Sequence, residues 1–332
     1  MERTLVFSDS SLNYADTRWD EVFQPLSNTC SDLDASDFPG ARRDQLVVRL
    51  GAARGFLAHT PFHPPAVPAD LLPTVRLFHG APLAWWVGQV LSYLMRLHPR
   101  SDQLVRAALR RLNFTRPIVG IHVRRSDKLF HEAEYHAVDE YMAAVEDFYE
   151  TLEITNGGVA RKIYVATDDV SVFDEINKKY PDYTVIGDRN ISSRASGKTK
   201  YSKEALDGIL VDIHLLSMCD FVVCTFSSNI CRLVYEMMQS LHVDASTRVT
   251  SLDWDYGFTG MRKLRLYRVI LQHSARSAEE MNMRRGDIIA VNFYNATNNY
   301  GYNLNTSESG YFPIFKTVED AKSVPFPAYP YV

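Results

Sequence analysis

The sequence predicts an α/β protein, a doubly wound parallel sheet followed by a small all-β unit, and three observations carry that expectation. From residue 116 to about 250, short apolar runs alternate with stretches of helical period, the mark of parallel strands joined by crossover helices. After about 272 the helical period disappears, and β-prone runs are broken by Gly and Asn, as in "GDII" and "GYFP". Polar and charged residues also collect directly behind three of the apolar runs. In an open parallel sheet that is where ligands bind.

Taken in order, residues 1 to 75 read as irregular, closing on the turn-rich "HTPFHPPAVPAD". "APLAWWVGQVLSYLMRL" predicts a buried helix opened by Pro82 and closed by Pro99. "SDQLVRAALRRL" predicts a second, with Ser101 as its N-cap. Strand "PIVGIHV" then leads into a helix whose Val138, Tyr141, Met142, Val145, Phe148, Tyr149 and Leu152 follow three-and-four spacing. Strand "KIYVA", helix "VSVFDEINKKY", strand "YTVIG", a polar loop to about 203, and helix "KEALDGILVDIHLLSM" come next. Strand "DFVVCT" and helix "NICRLVYEMMQSL" complete the α/β set. The C-terminal pattern fits a small Src-homology-3-like (SH3-like) barrel. The tryptophan of a proline-peptide groove is absent after "GDII", where Phe293, Tyr294 and Tyr300 are the nearby aromatics, so a structural barrel is expected. The expected division is 1–112, a partial N-terminal α/β and helical region; 113–271, a Rossmann-like domain; and 272–332, the barrel and tail.

The 332 residues are 46% apolar and 23% charged, with a net charge of −4. A mildly acidic chain lacks the broad basic face of a general nucleic-acid binder. No apolar run approaches the ~18 residues of a membrane span, and no signal peptide is visible. The opening "MERTLVFSDSS" reads like the inside of a domain, which predicts a trimmed or alternative start. Four cysteines are too few for a disulfide scaffold; Cys224 and Cys231 in "CTFSSNIC" are either a staple across a strand-to-helix turn or two buried thiols. Sequons stand at Asn113, Asn190, Asn295 and Asn305.

The chemistry concentrates in "RPIVGIHVRRSDKLFHEAEYH". Forked guanidinium donors on Arg124 and Arg125 suit phosphate oxygens, and Lys128 adds a point charge. Asp168 and Asp169 follow the next strand, and Ser227 and Ser228 follow another. Neither GxxxxGK[ST] nor GxGxxG is present behind a strand, so no glycine cradle explains an anion site. A diphosphate held by Arg and Lys points to a nucleotide-sugar, whose departing diphosphate must be stabilised while a base takes the acceptor's proton. Alternatives stay open at this stage. Arg125 pairs with a ligand, or with Asp127 or Asp169; His122 is a core histidine or a phosphate contact. Asp212, set among apolar residues of its helix, requires a cationic or hydrogen-bonding partner. "DWD" at 253 to 255 follows the last α/β element and is assigned no metal, and no Cys/His group has zinc spacing.

"HVRRSDK", "ATDD", "DIHLLS" and "CTFSS", in this order and ahead of an SH3-like barrel, resemble the α-1,6-fucosyltransferases that add core fucose to N-glycans. The likeness runs from about residue 4 to 330 and is strongest from 116 to 253. It implies a GT-B-like architecture, GDP-fucose as donor, no cofactor, and metal-independent inverting transfer to O6 of the innermost N-acetylglucosamine. By motif match Arg124 would grip the β-phosphate with Lys128, while His122, Arg125 and Asp127 shape the donor pocket. Glu132 would be the general base, with Glu134 as the fallback. Tyr141, Asp168, Asp169, Asp212 and Ser228 match further donor positions, Tyr14 one beside the guanine, and Asn229 stands where the family usually has Gln. Asp253, Val291 and Asn295 fall on the acceptor side, Asn295 in place of a histidine, and Arg54 replaces an acidic acceptor contact. Cys224–Cys231 matches a family bridge, whereas Cys30 lacks its usual partner. Family members carry an upstream membrane anchor, a helical stem and a cysteine-rich segment that this sequence lacks. The resemblance thus implies a Golgi-lumen enzyme, type II membrane-anchored at full length, with a homodimer through the stem. Its partners would be GDP-fucose and a glycoprotein N-glycan, not nucleic acid. Two other expectations remain: a fucosyltransferase with a different glycan acceptor, and a non-catalytic GDP-sugar or glycan-binding protein.

Overall fold

The structure, a computed structural model, describes residues 11–12, 15–27, 66–125, 135–195, 200–253, 256–257, 264–292, 299–321 and 323–325. In the N-terminal region β1 (Ser11–Leu12) pairs antiparallel with β2 (Thr17–Arg18), and one helical turn, α1 (Trp19–Val22), follows. After β3 (Val67–Pro68) come α2 (Leu72–Phe78), α3 (Pro82–Leu94) and α4 (Pro99–Arg111). α3 and α4 both open on proline, whose fixed φ suits the first helical position and whose missing N–H is not needed there. The α4 cap differs from the sequence expectation. His98 is the N-cap, its Nδ1 accepting the Arg100 N–H at 3.3 Å, and Ser101 lies buried inside the helix. α2, in a stretch that reads as irregular, is held by packing: Leu72 is buried with Val67, Leu83 and Val87.

The central sheet is built from β4 (Val119–Val123), β5 (Lys162–Thr167), β6 (Thr184–Ile186), β7 (Phe221–Cys224) and β8 (Val249–Ser251). All pairs are parallel, and the strand order is β6-β5-β4-β7-β8. The crossovers are α5 (Val138–Asn156), α6 (Ser171–Lys179), α7 (Arg189–Arg194), α8 (Lys203–Ser217) and α9 (Asn229–Leu241). Two apolar cores confirm the double winding. Val119, Ile121 and Val123 of β4 pack with Val138, Tyr141, Met142 and Val145 of α5 and with Val172, Phe173 and Ile176 of α6. The opposite face meets α8 and α9 through Tyr164, Ala166, Leu215, Leu216, Val234 and Met238. Gly120 turns to that second face: a Cβ there would stand 2.8 Å from Leu216 Cδ2, so any larger residue would require the Leu216 side chain to shift. α7 was not legible as a helix; Asp188 caps it by accepting the Asn190 N–H at 2.9 Å.

A second, separate sheet is antiparallel, from β9 (Leu264–Val269), β10 (Ile288–Asn292), β11 (Tyr300–Asn303), β12 (Ser309–Tyr311) and β13 (Thr317–Glu319), in the order β12-β11-β10-β9-β13. Its core is Tyr267, Val269, Met281, Met283, Ile289, Val291 and Phe312. β9 pairs on both sides within it although it precedes residue 272, where the sequence texture changes. Finally β14 (Ser323–Val324) pairs in parallel with β3, and Ala321 joins the core around Val67.

Candidate functional site at the carboxyl edge of the parallel sheet

β4 lies mid-sheet; β5 and β6 extend one way from it, β7 and β8 the other. The order of connection therefore reverses between β4 and β7, and a crevice opens there beyond the strands' carboxyl ends. Arg124 and Arg125 leave β4 at this point, Asp168 and Asp169 leave β5, and Thr225 to Ser228 leave β7.

One carboxylate fastens both arginines. Arg124 Nη1 lies 3.0 Å from Asp168 Oδ2, with side-chain exposures of 13% and 1%. The backbone N–H of Arg125 donates to Asp168 Oδ1 at 2.8 Å. Burying a carboxylate this deeply is costly without such partners. The Arg125 side chain, 11% exposed, places Nη1 3.1 Å from Glu175 Oε2 and 3.6 Å from Asp169 Oδ2. Its guanidinium sits 5.0 Å over the ring of Tyr135. Asp169 also accepts the Ser171 N–H at 2.9 Å and the Ser171 hydroxyl at 2.6 Å. Burial pushes the Asp169 carboxyl upward, but these bonds and Arg125 outweigh it and hold the group below the usual carboxylate range.

Tyr141, buried on α5, faces the same edge. Burial raises its phenol first, and the charge of Asp253 adds to that while Arg125 opposes it, so it stays a neutral donor at physiological pH. Across the crevice Ser227 and Ser228 are buried. Asp253 accepts the Ser227 N–H at 3.2 Å and the Ser251 hydroxyl at 2.9 Å, and Ser251 Oγ accepts the Phe226 N–H at 3.0 Å. Cys224 and Cys231 form a disulfide, so the bridged alternative holds and the end of β7 is stapled to the first turn of α9. Asn229 opens that helix, its side-chain oxygen accepting from Arg232. The amino end of α9 thereby faces the crevice edge with its partial positive charge.

Not every expected residue is drawn into this cluster. Asp212 does have a hydrogen-bonding partner, the Tyr164 hydroxyl at 2.6 Å, but Tyr164 sits in the middle of β5 opposite Gly120. Burial pushes the Asp212 carboxyl up to about 7, with the Tyr164 bond acting the other way. His122 is buried within β4, opposite Ala166. Val291 points its side chain into the core of the antiparallel sheet, which leaves only its backbone to meet a ligand. Tyr14, Asp127, Lys128, Glu132, Glu134 and Asn295, with Arg54 and Cys30, lie outside the described residues. Glu175 and Tyr135 were missed from sequence: Glu175 belongs to no motif and reads as a solvated partner of Lys179 four residues on. A separate cleft of about 330 Å³ on the antiparallel sheet, lined by His273, Arg276, Glu280, Tyr311, Phe315 and Lys316 among others, shares no lining residue with the strand ends. Among the described residues no three His, Cys, Asp or Glu side chains gather as a metal-ligand set, and no helix is long and apolar enough to cross a membrane.

Residues 1–256 match the family model for alpha-(1,6)-fucosyltransferase N- and catalytic domains. A Drosophila melanogaster protein named alpha-(1,6)-fucosyltransferase is 43% identical over 333 residues, covering 99% of this chain and 53% of that protein. A Caenorhabditis elegans protein of the same name is 34% identical over 330 residues, covering 96% and 58%. The chain thus spans about half the length of the curated relatives it matches. Among solved structures, POFUT1 in complex with GDP-fucose overlaps 51% of this chain and 48% of that one, at 12% identity and a TM-score of 0.33. NodZ alpha-1,6-fucosyltransferase soaked with GDP-fucose overlaps 45% and 47%, at 16% identity and a TM-score of 0.29.

Proposed function

The chain belongs to the alpha-(1,6)-fucosyltransferase family, and from that premise we propose that it moves fucose from GDP-fucose to O6 of the innermost N-acetylglucosamine of N-glycans. The observation that best supports this reading is the pair of enclosed guanidiniums directly behind β4, at the switch point of the sheet. They offer countercharge to a diphosphate where no glycine cradle exists. In the transfer, the acceptor O6 attacks the anomeric carbon of fucose on the face opposite the diphosphate. The carbon–oxygen bond to the β-phosphate breaks, its electron pair stays on the phosphate oxygen, and the configuration inverts. The acceptor proton passes to the Glu132 carboxylate. Charge grows on the departing diphosphate, where Arg124, oriented by Asp168, and Lys128 act most strongly. Side-chain cations supply this countercharge, so the reaction is read as metal-independent.

In this reading Tyr14, Arg125, Asp127, Tyr141, Asp168, Asp169, Ser228 and Asn229 complete the donor side, and Asp212 and His122 are left out of it because they are not drawn into the strand-end cluster. Asp253, Asn295 and the backbone of Val291 serve the acceptor. The parallel sheet would be the donor half of a GT-B-like architecture, and the antiparallel sheet an SH3-like barrel. The Cys224–Cys231 bridge supports an oxidising compartment such as the Golgi lumen.

The test is GDP release from GDP-fucose in EDTA, with and without an agalacto biantennary N-glycopeptide, followed by product mass and linkage. Glycan-dependent release with fucose on O6 of the core sugar is expected. Transfer only to other glycans would move the acceptor, a reading that Arg54 and Asn295 favour. GDP binding with no release on any glycan would reduce the chain to a binding protein.

A further inference from the structure

We propose that Glu175, on α6, is a positioning residue that aims Arg125 at the diphosphate of the donor; this deepens the function proposed above and rests on it. A guanidinium meets an oxyanion best along one edge, where the Nε–H and one Nη2–H run parallel. Arg161 uses that edge toward Glu153 in this same protein, with Nε and Nη2 at 3.1 and 2.9 Å from the two carboxylate oxygens. In Arg125 the other end is occupied instead, Nη1 standing 3.1 Å from Glu175 Oε2. Tyr135 covers a face of the group at 5.0 Å. The Nε and Nη2 atoms are buried and have no hydrogen-bond partner among the described residues. Burying idle donors of a charged group is costly, so this enclosed edge is a fork still lacking the two oxygens it fits.

Glu175, rather than Asp169, sets the aim. Asp169 stands 3.6 Å from Nη1, beyond hydrogen-bond length, and is committed to Ser171. Glu175 makes the charge-assisted bond, with its second oxygen 3.3 Å from Lys179 Nζ. With Glu175 in place Nη1 is spoken for, and rotation about the guanidinium axis is blocked. Without it the carbon-to-nitrogen fork can turn toward Asp169 and leave the diphosphate.

The test measures GDP affinity by calorimetry, and KM and kcat for GDP-fucose, on the full chain. Glu175→Ala should raise the GDP Kd and the donor KM ~10-fold, the loss of one oriented charged contact, while kcat stays within about twofold. Glu175→Gln, which retains an accepting oxygen, should recover affinity to within about threefold of the parent. Lys179→Met removes the pair with Glu175 and that with Asp139 of α5 while leaving the Glu175–Arg125 bond in place, and should leave Kd unchanged. In an Arg125→Ala background Glu175→Ala should have no further effect. If Glu175→Ala does not fold, the same cycle is run with Glu175→Gln, whose smaller loss must likewise vanish without Arg125. An unchanged Kd, a loss that persists in full without Arg125, or the same loss from Lys179→Met would overturn the assignment. Failure of the parent chain to bind GDP would instead sink the function proposed above, and this inference with it.

Discussion

Glu236 offers a quantitative check on the packing behind the site. It lies buried on α9, its Oε1 accepting the Tyr256 hydroxyl at 2.6 Å. Burial pushes its carboxyl from 4.5 up to about 7, against the Tyr256 bond and the charge of Arg232, which act downward. Between those two values the folded chain keeps a proton that the unfolded chain has released, so this group makes stability fall as pH rises. A rise of that size corresponds to about 3 kcal/mol once pH is well above 7, of which about 1 is already lost near pH 5. Glu236→Gln keeps the shape and cannot ionise. Its stability relative to the parent should therefore improve by roughly 2–3 kcal/mol between about pH 5 and about pH 8.5. Urea unfolding followed by circular dichroism at both pH values measures that change. Asp212, whose carboxyl is raised in the same direction, is common to both proteins and cancels in the difference. A gap between variant and parent that stays constant within about 0.5 kcal/mol would refute the reasoning.

Three further substitutions probe the site and its support. Arg124→Ala should lower turnover ~10²- to 10³-fold in the GDP-release assay, because its contact with the leaving diphosphate strengthens as charge develops; unchanged turnover removes Arg124 from the chemistry. Glu132→Gln should abolish transfer while GDP affinity in calorimetry is retained, and if Glu134→Gln does this instead, the base moves two residues along. At Gly88 of α3 an added Cβ would stand 2.2 Å from the Glu236 carbonyl oxygen of α9. Gly88→Ala should thus force the helices apart and cost about 1–3 kcal/mol or more in thermal or urea unfolding, and a neutral result would mean that α3 and α9 pack less closely.

What could be read from sequence was set by how strongly each element announces itself locally. β4, β5 and β7 are apolar runs bounded by polar residues, and α5 and α8 carry long periodic faces, so both the elements and their alternation were legible. β8 is three residues of intermediate burial at the edge of the sheet, too short to stand out, and it belongs to the sheet only by pairing with β7. α7 carries one apolar residue, Ile191, among polar ones, and α2 depends on partners distant in sequence. At the site, the clustering of Arg124, Arg125, Asp168 and Asp169 followed from their shared position behind adjacent strands. The partner of Arg125 did not: Glu175 sits mid-helix, and only the packing of α6 on the sheet brings it to the strand end. Asp212 shows the opposite limit. Its need for a partner was plain from its apolar neighbours, but the partner, Tyr164, lies on β5, distant in sequence, and could not be named.

The pairing of β14 with β3 carries a consequence for how the chain is made. Ser323 lies opposite Val67, Val324 opposite Pro68, and the Arg76 side chain donates to the Glu319 carbonyl at 3.2 Å. More than 250 residues of chain are synthesised between these partners. At ordinary elongation speeds the wait between them is on the order of ten seconds to a minute. Until then the cluster of Val67, Leu72, Leu83 and Val87 lacks Ala321, and its apolar flank stays open to chaperones and to neighbouring nascent chains. β14 works as a clasp on β3 and the helices packed beside it, so a message that stops before it would yield a product betrayed by α2 and α3 rather than by its missing strand.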